Sequence, residues 1–292
     1  MPASAAGASR RAVSAMAIAT ALWGGTFVVL RDALPGLTVA TLVFARFGVA
    51  ALIFGAAIVL TRRPLDRLTV VAGLACAPLI LACVALQASG LRETSAGSSA
   101  FLTSAGTLAA PFFAWAFLRQ RPAPAVFLGM ALALAGSALL SWRPARGLGA
   151  GELLTFLGSV AYALQLVIVS RVSPRVDPVA LTGVQSLGVA LCMAPFTSVP
   201  AALAAFAAPG GGGWRLAYLA LAGTVLAPLL QVTAQRTLPT GRVALLFALE
   251  PVFALIFAVA FGGERFLARW WAGATLILAA VVIAEWRSAA EP

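Results

Sequence analysis

Hydrophobic residues make up 62% of the 292 residues, charged ones only 10%, and mean hydropathy is +1.00, which excludes an ordinary soluble domain and leaves a polytopic membrane protein. The net charge of +11 is carried wholly by arginines, set singly or in pairs between apolar runs, and no basic stretch interleaved with aromatics suggests nucleic-acid binding. With no histidine and three cysteines lacking CxxC spacing, neither a zinc site nor a serine–histidine protease can be assembled, so no metal or cofactor and no enzyme activity are expected.

Runs long enough for a hydrocarbon core about 30 Å thick follow one another along the chain. After a small, polar tail ending in Arg10 and Arg11, they cover roughly 14–30, 38–60, 68–90, 96–118 and 124–142, then 152–170, 178–199, 214–235, 241–262 and 267–286. The expected fold is therefore all-α, with ten transmembrane helices. The breaks carry Arg, Asp, Pro or Gly, and the weakly apolar stretch 200–213 reads as a loop with an interfacial turn. Trp142, Trp214, Trp270, Trp271 and Trp286 sit at span ends, where tryptophan anchors to the interface.

Residues 87–143 slide onto 231–287 at a constant offset of 144 without a gap, matching Gln87 with Gln231, Arg92 with Arg236, Gly97 with Gly241, Arg121 with Arg265, Gly129 with Gly273 and Trp142 with Trp286. The chain thus divides into two units, 1–146 and 147–292, of five spans each. An odd number of spans makes the second unit start on the opposite side of the membrane, so the repeats are inverted, an arrangement associated with transporters. In the first unit Arg10, Arg11, Arg62, Arg63, Arg67, Arg119 and Arg121 fall on one side and Arg31 and Arg92 on the other, which puts both termini in the cytoplasm.

Two charges fall near the middle of spans, Arg46 and Glu250, and their repeat partners, Gln185 and Gly106, are neutral. A charge at the bilayer centre costs at least about 2.5–3.5 kcal/mol, so such residues face a partner or a watery cavity. Either they hold the carboxylate and ammonium of a zwitterion, or they pair with each other or with broken-helix backbone. Glu250 is also the only mid-span carboxylate available to carry a proton. Ser99, Thr103 and Thr107 form a hydroxyl stripe at four-residue spacing, facing a ligand or bonding back to their own helix. Its counterpart carries Val243, Phe247 and Pro251, an apolar wall.

Trp23 and Tyr162 occupy similar places in the first span of each unit, with Gly24 and Gly25 beside the tryptophan; they line a cavity or sit at the interface. Thr26 follows on the same helix, Gln165 lies one turn from Tyr162, and Gln87 and Gln231, related by the repeat, read as structural amides capping a broken helix. The substrate-binding candidates are therefore Trp23, Gly24, Thr26, Arg46, Ser99, Thr103, Thr107, Tyr162, Gln165, Gln185 and Glu250. Gly129, Ala133 and Ser137 make a small-xxx-small face for helix packing, within the molecule or in a weak homodimer.

Trp23-Gly24-Gly25-Thr26-Phe27, Phe44-Ala45-Arg46-Phe47, Glu250-Pro251-Val252-Phe253, Gly262-Gly263-Glu264-Arg265 and Trp271-Ala272-Gly273-Ala274 resemble the EamA-type members of the drug/metabolite transporter superfamily, most closely the YddG-type amino-acid exporters. The resemblance covers nearly the whole chain. It implies ten helices in a bacterial inner membrane, a cavity formed by spans 1 to 4 and 6 to 9, and spans 5 and 10 as outer supports. It further implies export of amino acids, aromatic and other neutral ones, by alternating access, with efflux of drug-like organic cations as the alternative. One departure stands out: the 144-residue offset sets Thr107 opposite Pro251, and Pro111 comes one turn later. No GxxxxGK[ST] loop is present, so ATP does not drive the chain directly. The expected partners are the small-molecule substrate and membrane lipid.

Overall fold

The computed structural model describes residues 2–141, 149–207, 212–263 and 267–290, the side chains of 2–6, 141 and 284–290 excepted. Fourteen α-helices are present among the described residues: α1 Pro2–Ala33, α2 Val39–Thr61, α3 Arg67–Gly90, α4 Ala96–Thr107, α5 Ala110–Leu118, α6 Pro124–Ser141, α7 Ala150–Val172, α8 Pro178–Met193, α9 Val199–Phe206, α10 Gly212–Ala220, α11 Ala227–Ala234, α12 Thr240–Phe247, α13 Glu250–Ala260 and α14 Arg269–Ala290. Among them are eight helical stretches long and apolar enough to cross a membrane; α4 and α5 form one, α10 and α11 another, α12 and α13 a third. Two further apolar helices, Pro124–Leu140 and Arg269–Ile283, are shorter.

Side-chain caps explain where the helices begin. Thr38, Asp66, Ser95, Asp177 and Ser198 each accept a bond from the backbone N–H three residues on, satisfying a donor that the first turn leaves free. Three expectations change. The tail before Arg11 continues α1 back to Pro2, because its alanine-rich sequence contains nothing after Pro2 that stops a helix. Residues 199–206, read as loop, form the two-turn helix α9, whose Ala202 and Ala205 are buried in a cluster with Leu216 and Leu219. Trp270 is buried in the core rather than anchored at the surface, whereas Trp214 and Trp271 are exposed. Trp142, Glu264, Arg265 and the side chain of Trp286 lie outside the described residues.

Hydrogen bonds between the connections sort them onto two ends of the bundle. At one end Arg63 pairs with Asp177 at 2.8 Å, Ser173 donates to the Gln235 carbonyl at 2.9 Å, and Arg242 donates to Ser9 at 3.3 Å. At the other end Arg92 donates to the Leu37 carbonyl at 2.6 Å, Thr94 to Glu152 at 2.5 Å, and the Thr41 and Thr197 hydroxyls bond at 3.0 Å. Successive connections therefore alternate between ends, as a chain threading a membrane back and forth must.

Two equivalent helices of the sequence repeat, α6 and α14, pack directly on each other. A Cβ added at Gly129 would meet the Ala280 carbonyl, and one at Gly136 would meet that of Gly273 at 2.6 Å. The first contact number rises as the second falls, so the helices run antiparallel. Since 129 and 136 correspond to 273 and 280 at the offset of 144, the two contacts exchange with each other, as a twofold axis requires. The other pairings follow suit: α3 lies along α7 as α10 and α11 lie along α1, and α2 lies along α8.

The broken helices revise the alignment of the prolines. α4 ends at Thr107 and α5 begins at Ala110; α12 ends at Phe247 and α13 begins at Glu250. In each break the carbonyl two residues before the proline, Ala109 or Leu249, accepts from the N–H groups three and four residues on, at 3.0–3.1 Å. Pro111 and Pro251 are thus structural equivalents, each the second residue of its segment, where no intrahelical N–H is needed. α4 is 12 residues and α12 only 8, so one helical turn has been added before the break in the first unit. An ungapped offset hides that turn, and Glu250 corresponds in structure to Ala110, not Gly106.

Candidate functional site

Enclosed by these helices, near the breaks, is a cavity of about 70 Å³. α1 contributes Trp23 and Thr26, α2 Arg46 and Phe47, α3 Ile80, Cys83, Val84 and Gln87, and α4 Thr103. From the other half come Tyr162 and Gln165 of α7, Thr182, Gln185 and Ser186 of α8, Gly223, Thr224, Pro228 and Gln231 of the α10–α11 stretch, then Phe247 and Glu250 at the second break. Among the described residues, none of α6 or α14 lines it. Two larger hollows, about 370 and 500 Å³, are walled by apolar and aromatic side chains apart from Arg171, and offer little to orient a polar ligand.

One wall is aromatic. Trp23 stacks on Phe247 with ring centroids 5.0 Å apart and planes at 16°, and Tyr162 meets both edge-on, at 6.1 and 5.7 Å. Such pairs lock one another's rotamers and add about 0.5–1.5 kcal/mol beyond burial. The Tyr162 hydroxyl donates to Gln231 Oε1 at 2.7 Å, Gln231 Nε2 to Gln235 Oε1 at 2.5 Å, and Gln235 Nε2 to the Leu166 carbonyl and Ser170 Oγ, so an amide ladder ties α7 to α11. In the other unit Gln87 Nε2 donates to Thr103 at 3.0 Å. Both repeated glutamines bridge neighbouring helices, whereas their helix ends are closed by backbone bonds at Leu91 and Gln235. The capping role expected of them is thereby replaced.

Charged and polar side chains share the lining. The Arg46 Nε donates to Thr224 Oγ1 at 3.1 Å, and its terminal nitrogens bond no acceptor among the described residues. Glu250 is the first residue of α13, where the partial positive charge of a helix N-terminus favours a carboxylate; its Oε2 is buried without a partner. Arg46 and Glu250 are 6% and 4% exposed yet form no ion pair with each other. Gln165 Oε1 is likewise buried without a partner, and Gln185 Nε2 meets no oxygen or nitrogen acceptor, its amide lying beside the Cys76 thiol. An unsatisfied buried polar group costs about 1–3 kcal/mol, more when charged, and here three residues with such an atom and a guanidinium line one cavity. That concentration is what a site for a polar ligand requires.

Of the residues singled out from sequence, Trp23, Thr26, Arg46, Thr103, Tyr162, Gln165, Gln185 and Glu250 meet at this cavity. Gly24 does not; a Cβ there would strike Phe253 and Ala254, so this glycine lets α1 and α13 pack. Ser99 is buried in the packing of α4 with no hydrogen-bond partner, and Thr107 donates back to the Ser104 carbonyl at 2.8 Å. Gly223, Thr224, Thr182 and Ser186 escaped the sequence reading. The one signal for the first two was Pro228, the prolyl interruption four and five residues on.

The sequence profile of the EamA-like transporter family matches this chain twice, over residues 10–142 and 149–286. An uncharacterized transporter of Archaeoglobus fulgidus is 26% identical over 273 residues, 93% of this chain and 85% of its own length. A solved protein structure, 17% identical, superposes with a TM-score of 0.72 over 92% of this chain and 94% of the other, a likeness of fold. With the profile covering nearly all of a multi-pass helical chain whose two matched segments both contribute to the cavity, this protein belongs to the EamA-like transporter family.

Proposed function

We propose that the chain is built of two inverted five-helix units, 1–146 and 147–292, and exports neutral amino acids, aromatic ones among them, across the cytoplasmic membrane by alternating access. Arg46 takes the carboxylate, Glu250 the ammonium, and Trp23, Tyr162 and Phe247 the side chain. The observation that carries this reading is that a guanidinium and a carboxylate share one buried cavity without pairing. Opposite charges left apart at the junction of two units are poised for a ligand bearing both. Gln165 and Gln185 supply a further acceptor and donor.

Pockets that hold drug-sized ligands are about 300–1,000 Å³. A cavity of about 70 Å³ is therefore contracted, and loading it requires α4–α5 and α12–α13 to move at their proline breaks. Alternation of those two equivalent breaks opens the cavity toward one end or the other. Glu250 and the aromatic wall favour a second reading, efflux of drug-like organic cations, which Arg46 opposes.

Counterflow into liposomes with a panel of radiolabelled amino acids and cationic drugs separates the two. The proposal expects exchange of neutral amino acids, L-phenylalanine included. Exchange of a drug with none of any amino acid overturns it.

A further inference from the structure

The spanning stretch Gly212–Ala234 is not a continuous α-helix: between α10 and α11 runs a π-helical segment, Leu221–Leu226. Its cause is local. Pro228 has no N–H to offer, and its ring crowds the carbonyl four residues earlier; widening the turn relieves both. The consequence is a shift of register. The Ala227 N–H bonds the Ala222 carbonyl, five residues back, and so leaves the Gly223 carbonyl without its usual α-helical donor. The next candidate, five residues on from Gly223, is Pro228 itself. Trp23 Nε1 fills the gap, donating to the Gly223 carbonyl at 3.0 Å.

The same shift turns Thr224 into a two-sided connector. Its hydroxyl donates to the Leu219 carbonyl, five residues back, at 2.8 Å, which orients its lone pairs outward to accept the Arg46 Nε at 3.1 Å. Gly223 supplies the clearance: a Cβ there would stand 2.8 Å from Thr26 Cγ2 and 3.3 Å from Arg46 Nη2. With Nε held from the side, the planar guanidinium can present its terminal N–H groups as a fork to one planar oxyanion.

Resting on the reading that Arg46 takes the substrate carboxylate, we propose that the π turn is the specificity device of this site. Thr224 is a positioning residue that fixes the Arg46 fork for carboxylate-bearing substrates, and Gly223 is the clearance that lets it do so.

The test is inhibition of radiolabelled L-phenylalanine counterflow by unlabelled L-phenylalanine and by phenethylamine, the same molecule without its carboxylate. Thr224→Val is expected to weaken inhibition by phenylalanine about tenfold, the size of a lost hydrogen bond to a charged group, and to leave phenethylamine within about twofold. Thr224→Ser, which keeps the hydroxyl, restores the wild-type value, and Gly223→Ala behaves as Thr224→Val. If Thr224→Val and Thr224→Ser fall equally, or if both inhibitors weaken together, Thr224 is a packing residue and the proposal fails. If Arg46→Gln lowers phenylalanine affinity and Thr224→Val does not, the positioning role alone is overturned. If Arg46→Gln has no effect, or the wild type exchanges no phenylalanine, the reading of the cavity falls and this inference with it.

Discussion

Glu250 carries the polar logic of the cavity at the scale of single residues. It sits at a helix N-terminus, 4% exposed, with one oxygen lacking any protein partner. If that oxygen receives an ammonium, Glu250→Gln weakens inhibition of phenylalanine counterflow by phenylalanine about tenfold or more, while 3-phenylpropionate, which lacks the ammonium, changes by less than about twofold. Equal loss for both inhibitors contradicts the assignment. Arg46 and Glu250 were legible in the sequence because a charge inside an apolar run has few explanations, and Trp23 and Tyr162 because the repeat set them at similar places. Thr224 was not, since a threonine in a membrane helix ordinarily bonds its own backbone, and only the changed register gives it a second partner. Ser99 and Thr107 illustrate the converse: a four-residue stripe names a helix face, but neighbouring helices decide which of its members reach a cavity.

Helical elements here are shaped by where they are interrupted and by how closely their backbones approach. The spans were visible as apolar runs, and their limits as caps and arginines. Hidden was the compensated extra turn in α4, because an insertion of one turn keeps the helix face and a later one restores the offset of 144 by α6 and α14. The close crossing of those two helices gives a prediction whose sign depends on position. Gly136→Ala sets a methyl group 2.6 Å from the Gly273 carbonyl, a backbone atom that cannot step aside, and is expected to destabilise by about 1–3 kcal/mol less the gain in helix propensity. Gly48→Ala, in α2 with nothing within 4 Å, is expected to stabilise by about 0.5–1 kcal/mol. Thermal unfolding of the detergent-solubilised protein should lower the transition for the first and raise it for the second. The same sign for both contradicts the packing described.

For the molecule as a whole, the sequence repeat pointed to inversion; α6 and α14, equivalent in that repeat, cross antiparallel with exchanged contacts. The bundle end tied together by Arg63, Asp177, Ser173 and Arg242 also carries Arg62 and Arg67 of the first unit, whereas the first-unit connections at the other end hold Arg31 and Arg92. On the positive-inside rule we propose that the first end is the cytoplasmic one. What sequence could not supply was the company each polar residue keeps, since the cavity takes side chains from spans more than 200 residues apart, such as Trp23 and Glu250. We propose that this one cavity holds substrate and opens to each side in turn. Cys83 lines it and allows the claim to be tested directly in a variant carrying Cys76→Ala and Cys192→Ala. A small, membrane-impermeant thiosulfonate is added to right-side-out and to inside-out vesicles, with and without L-phenylalanine. The account predicts that Cys83 is modified from both sides and that phenylalanine slows modification in each case. Reaction from one side only, or at a rate indifferent to phenylalanine, would contradict it.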